Sequence, residues 1–222
     1  MIPLRDANPS RTFPMITFAL IAANIIVFII EISQGEYMAG LIVEFGLIPA
    51  TVGNDFRLMN IGFGTFIPFI TSMFLHGGWM HLVGNMLFLY IFGDNVEDRF
   101  GHFRFFIFYF IAGITAALTQ VFMFPDSEIP MVGASGAIAG VLGAYVLMFP
   151  RARIITLIPI IFFFDIVELP AFVFLGIWFL MQVFSGVFSL GIGSDAGGVA
   201  WWAHIGGFTA GAILLPFLKI KR

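Results

Sequence analysis

Residues 132–140 read VGASGAIAG, a serine set among glycines and alanines in a chain otherwise given to long apolar runs. Gly136 and Gly140 stand four apart, a spacing that lets one helix backbone approach another closely where no water drives association. The stretch therefore reads as a membrane helix, and Ser135 at its head as either a packing residue or a nucleophile. Composition agrees on the solvent. Of 222 residues 60% are hydrophobic and 10% charged, and the mean hydropathy is +1.03, which leaves too little polar surface to cover a soluble globule. The net charge of -3 is small and scattered and points to no nucleic acid. The absence of cysteine removes disulfides, thiolate catalysis and cysteine metal sites.

Outward from that stretch, six runs are long and apolar enough to cross a bilayer: about 14–33, 80–97, 103–124, 134–149, 168–189 and 201–218. Residues 1–222 thus form one domain, an all-α bundle of six transmembrane helices. The first run is too long for a signal-peptide core and no small-residue cleavage site follows it, so it reads as a retained helix. Six spans put Arg5, Arg11, Arg99, Arg104, Arg151, Arg153, Lys219, Lys221 and Arg222 on one face and leave Arg57 on the other. By the positive-inside rule both termini are then cytoplasmic. Residues 34–79 connect the first two spans on the outer side and mix charges with apolar runs, so part of this loop is expected to lie in the membrane interface. Residues 157–170, LIPIIFFFDIVELP, are broken by Pro159, Asp165, Glu168 and Pro170 and read as a second interfacial loop.

Polar side chains inside a bilayer are expensive and mark functional candidates. Here they are Asn24, His81, Asn85, Gln120, Ser135, Gln182 and His204, with His76 just ahead of the second span. The topology brings His81, Ser135 and His204 to similar depth near the outer face and leaves His102 at the opposite end as a loop residue. Gly136 and Gly140 follow Ser135, and Gly207 and Gly211 follow His204, so two small-residue faces in contact would bring serine and histidine together. A hydroxyl needs a base to become a nucleophile, and His204 is the natural one. His81 and Asn85, four apart on one helix face, can donate to an oxyanion, as can the Ser135 backbone N–H at a helix start. No carboxylate falls where it would orient His204, and Asp195 reads as a solvated loop residue, so the expectation is a serine-histidine dyad. Asn24, Gln120 and Gln182 read as hydrogen-bonding glue between helices, and Trp201 and Trp202 as an interfacial belt. No His-Glu-x-x-His or other metal-binding pattern is present, and neither a metal nor a cofactor is implied.

GASG at residues 133–136, AHIGG at 203–207, HGGWMHLVGNM at 76–86 and FGDNVEDRFG at 92–101 together resemble the rhomboid family of intramembrane serine proteases. The resemblance implies a six-helix core with a membrane-associated loop between helices one and two, and substrate entry beside helix five. It makes Ser135 the nucleophile, His204 the base, and His81 and Asn85 the oxyanion pair. Glu97 and Gly101 match a structural helix-connection motif, with Gly133 part of the serine motif. Where many members carry Trp-Arg in the first loop, this chain has Phe56 and Arg57. The expected function is cleavage of transmembrane segments of other membrane proteins near the outer face of a bacterial cytoplasmic membrane. The alternative is an inactive rhomboid-like protein that binds transmembrane helices.

Overall fold

The computed structural model describes residues 1–160, 163–192 and 198–218. A short strand, β1 (Ile2–Asp6), precedes α1 (Met15–Ser33). A run of short helices follows: a 3₁₀ turn (Gly35–Tyr37), α2 (Met38–Phe45), α3 (Pro49–Arg57), α4 (Phe63–Phe66) and α5 (Pro68–Thr71). Then come α6 (Trp79–Phe100), α7 (His102–Met123), α8 (Ser135–Met148), strands β2 (Arg153–Ile160) and β3 (Phe163–Pro170), α9 (Ala171–Ile192) and α10 (Trp201–Leu218). Four of these helices are long and apolar enough to cross a membrane: α1, α7, α9 and α10. In lipid a helix satisfies its own backbone, which is why these continuous apolar runs fold this way. The other two main helices fall short of that criterion for different reasons. The last turns of α6 carry Asp94, Glu97, Asp98 and Arg99, and α8 has 14 residues, about 21 Å at 1.5 Å per residue.

Helix α8 is the centre of the bundle. Every residue from Ala137 to Tyr145 is buried, as expected of a helix that is apolar on all sides. It packs on α6, α7 and α10, while α9 leans on the bundle chiefly through α10 and turns Phe172, Leu180, Phe184 and Phe188 outward. Small residues set these distances. A Cβ on Gly207 would collide with the Gly136 carbonyl oxygen and one on Gly211 with that of Gly140, so α10 lies directly on the α8 backbone. The α8 glycines also serve α7: a Cβ on Gly136 would sit 2.7 Å from the Ala116 methyl, and one on Gly140 2.5 Å from that of Ala112.

Helix α1 starts at Pro14 without a capping side chain of its own. Glu97 of α6 supplies one from 80 residues away, its carboxylate accepting the Ile16 N–H at 2.9 Å, the Thr17 N–H at 2.8 Å and the Thr17 hydroxyl at 2.7 Å. An anion is well placed there, since the free N–H groups and the dipole of a helix start favour negative charge.

The all-α expectation needs correction. Of the residues expected as an interfacial loop, 157–160 belong to β2 and 163–170 to β3; these two strands pair antiparallel, and β1 pairs with β2 to make a three-stranded sheet ordered β1-β2-β3. The fifth helix accordingly starts at Ala171 rather than near 168. The physical reason is that RIITLIPI and FFDIVELP are rich in β-branched and aromatic residues, and Pro159 and Pro170 lie near strand ends. Ile154 and Thr156 of β2 are fully buried, whereas Asp165 and Glu168 of β3 are exposed. Between α1 and α6, Tyr37, Leu58, Met59 and Phe63 are exposed on the short helices and the turns that join them.

The sheet is pinned to the helices by Asp6, which accepts a hydrogen bond from the Tyr145 hydroxyl at 2.5 Å and one from Asn95 Nδ2 at 3.1 Å. Burial pushes the Asp6 carboxyl up to about 6; the tyrosine hydrogen bond opposes that shift, and the neighbouring Asp94 adds to it. Because the folded-state value lies above the unfolded one, the stabilising effect is complete at low pH and is lost as pH rises through about 6. The unfolding midpoint in detergent should therefore fall as pH rises from about 4 to about 6, between the unfolded and folded values of this carboxyl. Asp6→Asn, which keeps an acceptor for Tyr145, should flatten that fall; an unchanged slope in the variant would count against Asp6 as its source.

Candidate active site

The chain returns from α7 to α8 through residues 124–134, held by a bridge between Leu47 and Met131 and by the Gly133 N–H donating to the Ser72 carbonyl at 2.8 Å. Gly133 has φ +117°, a conformation that L side chains rarely adopt, and a Cβ there would meet His81 Nε2 at 2.6 Å. This turn presents Ser135 as the first residue of α8. His204 sits in the first turn of α10, next to Ala203, whose N–H donates to Gln120 Oε1 at 3.3 Å. Ser135 Oγ and His204 Nε2 are 2.8 Å apart. The small-residue contact between α8 and α10 makes that distance possible.

Ser135 and His204 face a cavity of about 330 Å³, also lined by His81, Asn85, Met80, Phe88 and Trp178. His81 and Asn85 stand one turn apart on α6, and both surround Gly133. Asn85 is 8% exposed, and its Nδ2 has no hydrogen-bond partner among the described residues. A buried, unpaired amide donor is costly, and beside a serine hydroxyl it is a group waiting for an acceptor. Trp178 and Trp201 flank the imidazole of His204, with ring centroids at 6.0 and 6.2 Å.

Four of the expected site residues, Ser135, His204, His81 and Asn85, thus come together. Others do not. His76 lies behind His81, with ring centroids 5.0 Å apart, and is fully buried. Its backbone N–H donates to the Glu31 carboxylate at 3.1 and 3.2 Å. His102 is at the far end of α6, its Nδ1 2.5 Å from Glu97 Oε1, so it is a partner of the helix-capping carboxylate rather than a free loop residue. Asn24, expected to link helices, donates instead to Leu20 within α1 at 2.8 Å, whereas Gln120 does link α7 to α10. Trp202 Nε1 ties α10 to the Gly186 carbonyl of α9 at 3.1 Å. Arg57 pairs with Asp126 at 2.6 Å on the surface, while Asp195 lies outside the described residues.

One residue escaped the sequence reading, and a second, read rightly as a link between helices, has a more specific partner than expected. Glu31 is a fully buried carboxylate at the end of α1, masked by its position at the end of an apolar run. Gln182, expected as glue, lies with Oε1 2.8 Å from His204 Nδ1; a search for a carboxylate overlooks an amide in that role. Serine, imidazole and an unpaired donor around one cavity can perform acyl transfer. No group of three His, Asp or Glu side chains that could hold a metal ion occurs among the described residues.

A model of the rhomboid domain matches residues 64–221. Among individual proteins, the chain is 34% identical over 126 residues to rhomboid-like protein 11, chloroplastic, of Arabidopsis thaliana, covering 57% of this chain and 42% of that protein. It is 36% identical over 132 residues to rhomboid protease GluP of Bacillus subtilis, covering 59% of this chain and 24% of that one. With rhomboid protein 1, mitochondrial, of Saccharomyces cerevisiae it shares 36% identity over 93 residues, which are 40% of this chain and 27% of the yeast protein. The chain spans less than half the length of these relatives.

Proposed function

The chain belongs to the rhomboid family of membrane proteins, and from that premise we propose that it is an intramembrane serine endopeptidase acting on transmembrane segments of other proteins. The observation that carries this reading is the 2.8 Å approach of Ser135 Oγ to His204 Nε2 at the mouth of a cavity with an unpaired buried amide. In the proposed reaction His204 Nε2 takes the hydroxyl proton as Ser135 Oγ attacks the scissile carbonyl carbon. Asn85 Nδ2, His81 and the Ser135 backbone N–H stabilise the oxyanion. His204 then gives its proton to the leaving amine and the acyl-enzyme remains on Ser135; a water deprotonated by His204 attacks the acyl carbon, the bond to Ser135 Oγ breaks to release the new carboxylate, and His204 returns the proton to Ser135 Oγ. The polar lining of the cavity supports water entry, because irregular and polar groups at membrane depth persist where they face water. Six spans with cytoplasmic termini complete the proposal. They put the starts of α6, α8 and α10 together at the outer face and Arg99, Arg104, Arg151 and Arg153 at the inner one.

The direct test is covalent labelling. Detergent-solubilised protein treated with a fluorophosphonate should carry the adduct on Ser135, located by mass spectrometry, and a His204→Ala variant should not label. No adduct, under conditions where an active rhomboid protease labels, would favour a non-catalytic binder of membrane helices. Asn85→Ala should weaken cleavage of a model transmembrane substrate by about 100-fold or more without abolishing it, the cost of one oxyanion donor. Turnover equal to that of the unaltered protein would remove Asn85 from the oxyanion site.

A further inference from the structure

We infer that Gln182 of α9 is the positioning residue of the base, holding His204 in the tautomer that leaves Nε2 free to accept the Ser135 proton. The inference rests on the proteolytic reading above. For Nε2 to act as a base its lone pair must face Ser135 Oγ, so the ring proton must reside on Nδ1, and a buried Nδ1–H requires an acceptor. Gln182 Oε1 lies 2.8 Å from Nδ1. A glutamine could in principle present either end of its amide, but here the choice is made by its own helix. Nε2 donates to the Trp178 carbonyl at 3.1 Å, so a flipped amide would set two oxygen lone pairs against each other and lose that hydrogen bond. Oε1 therefore faces the imidazole, and the tautomer follows from it.

The amide suits its surroundings. Gln182 is 5% exposed, and a carboxylate so deeply buried would need its charge compensated, whereas a neutral amide fixes the ring without that cost. During reaction the imidazole becomes cationic, and the Oε1 dipole already points at the Nδ1–H that shares the charge. Among the described residues, the titratable neighbour within the same cavity is His81 of α6, and the indoles of Trp178 and Trp201 and the Ser135 hydroxyl also lie beside His204.

The test follows the rate of fluorophosphonate labelling at Ser135 against pH, together with thermal unfolding of each variant. Gln182→Leu should remain folded and label about 10- to 100-fold more slowly, part of the roughly 100- to 10,000-fold that a positioned base contributes. Gln182→Glu should recover most of the rate at higher pH, with the acid limb of its profile moved upward, because a carboxylate favours the imidazolium. If the unaltered protein labels and both variants follow its rate and pH profile, the positioning role is overturned while the proteolytic reading stands. If the unaltered protein does not label, the proteolytic reading fails and this inference with it. Should the leucine variant not fold, the glutamate variant decides, and an unmoved acid limb overturns the role.

Discussion

Ser135→Ala and His204→Ala are each expected to reduce cleavage of a reconstituted transmembrane substrate by about 10⁴-fold or more. The two losses should not add, because hydroxyl and imidazole act on the same proton and either one without the other is inert. Neither change should unfold the protein. Alanine is a good helix former at the first position of α8, and His204 contributes hydrogen bonds at the cavity rather than packing in the core around α8. The measurement is product formation over time beside a thermal melt of each variant. A folded Ser135→Ala protein that still cleaves at a substantial rate would refute the dyad.

The second large effect concerns stability. Gly207→Ala and Gly211→Ala place a methyl group against the carbonyl oxygens of Gly136, in the first turn of α8, and Gly140, in its buried middle, and a backbone carbonyl inside a helix cannot rotate aside as a side chain can. Overpacking by a single methylene costs about 1–3 kcal/mol when side chains can shift, so these two substitutions should reach or exceed the upper end of that range. Displacing α10 also moves His204 away from Ser135, and cleavage should fall together with the unfolding midpoint. Gly176→Ala and Gly191→Ala on α9 are the controls, since no atom of the described residues lies within 4 Å of a Cβ at either place; alanine there should be neutral or slightly stabilising. A Gly207→Ala protein as stable as Gly176→Ala would mean that the close contact of α8 and α10 does not limit stability.

Helices α1, α7, α9 and α10 were legible because each is a long apolar run, and the meeting of Ser135 with His204 because glycine spacing and chain direction both bear on it. What escaped depends on pairing at a distance. Strand β1 has five residues, too few to show a period, and its partner lies beyond α8, so no local pattern marks the sheet. The capping of α1 by Glu97 spans 80 residues and was visible only as a family motif, not as a contact. Asn24 and Gln182 are both amides on apolar helices, yet one turns back on its own backbone and the other reaches His204. Rotamer and helix rotation decide between them, and neither is written in residue type.

The pairing of Ile2 with Leu157 has a consequence in time. A ribosome adds about 5–20 residues per second, so β1 is made roughly 7–30 s before the strand it pairs with. During that interval it is an unpaired edge, open to chaperones or proteases. Closure of the sheet is then a late event in biogenesis. Protease resistance of residues 1–13, followed in arrested nascent chains of increasing length, should appear only once β2 has left the ribosome.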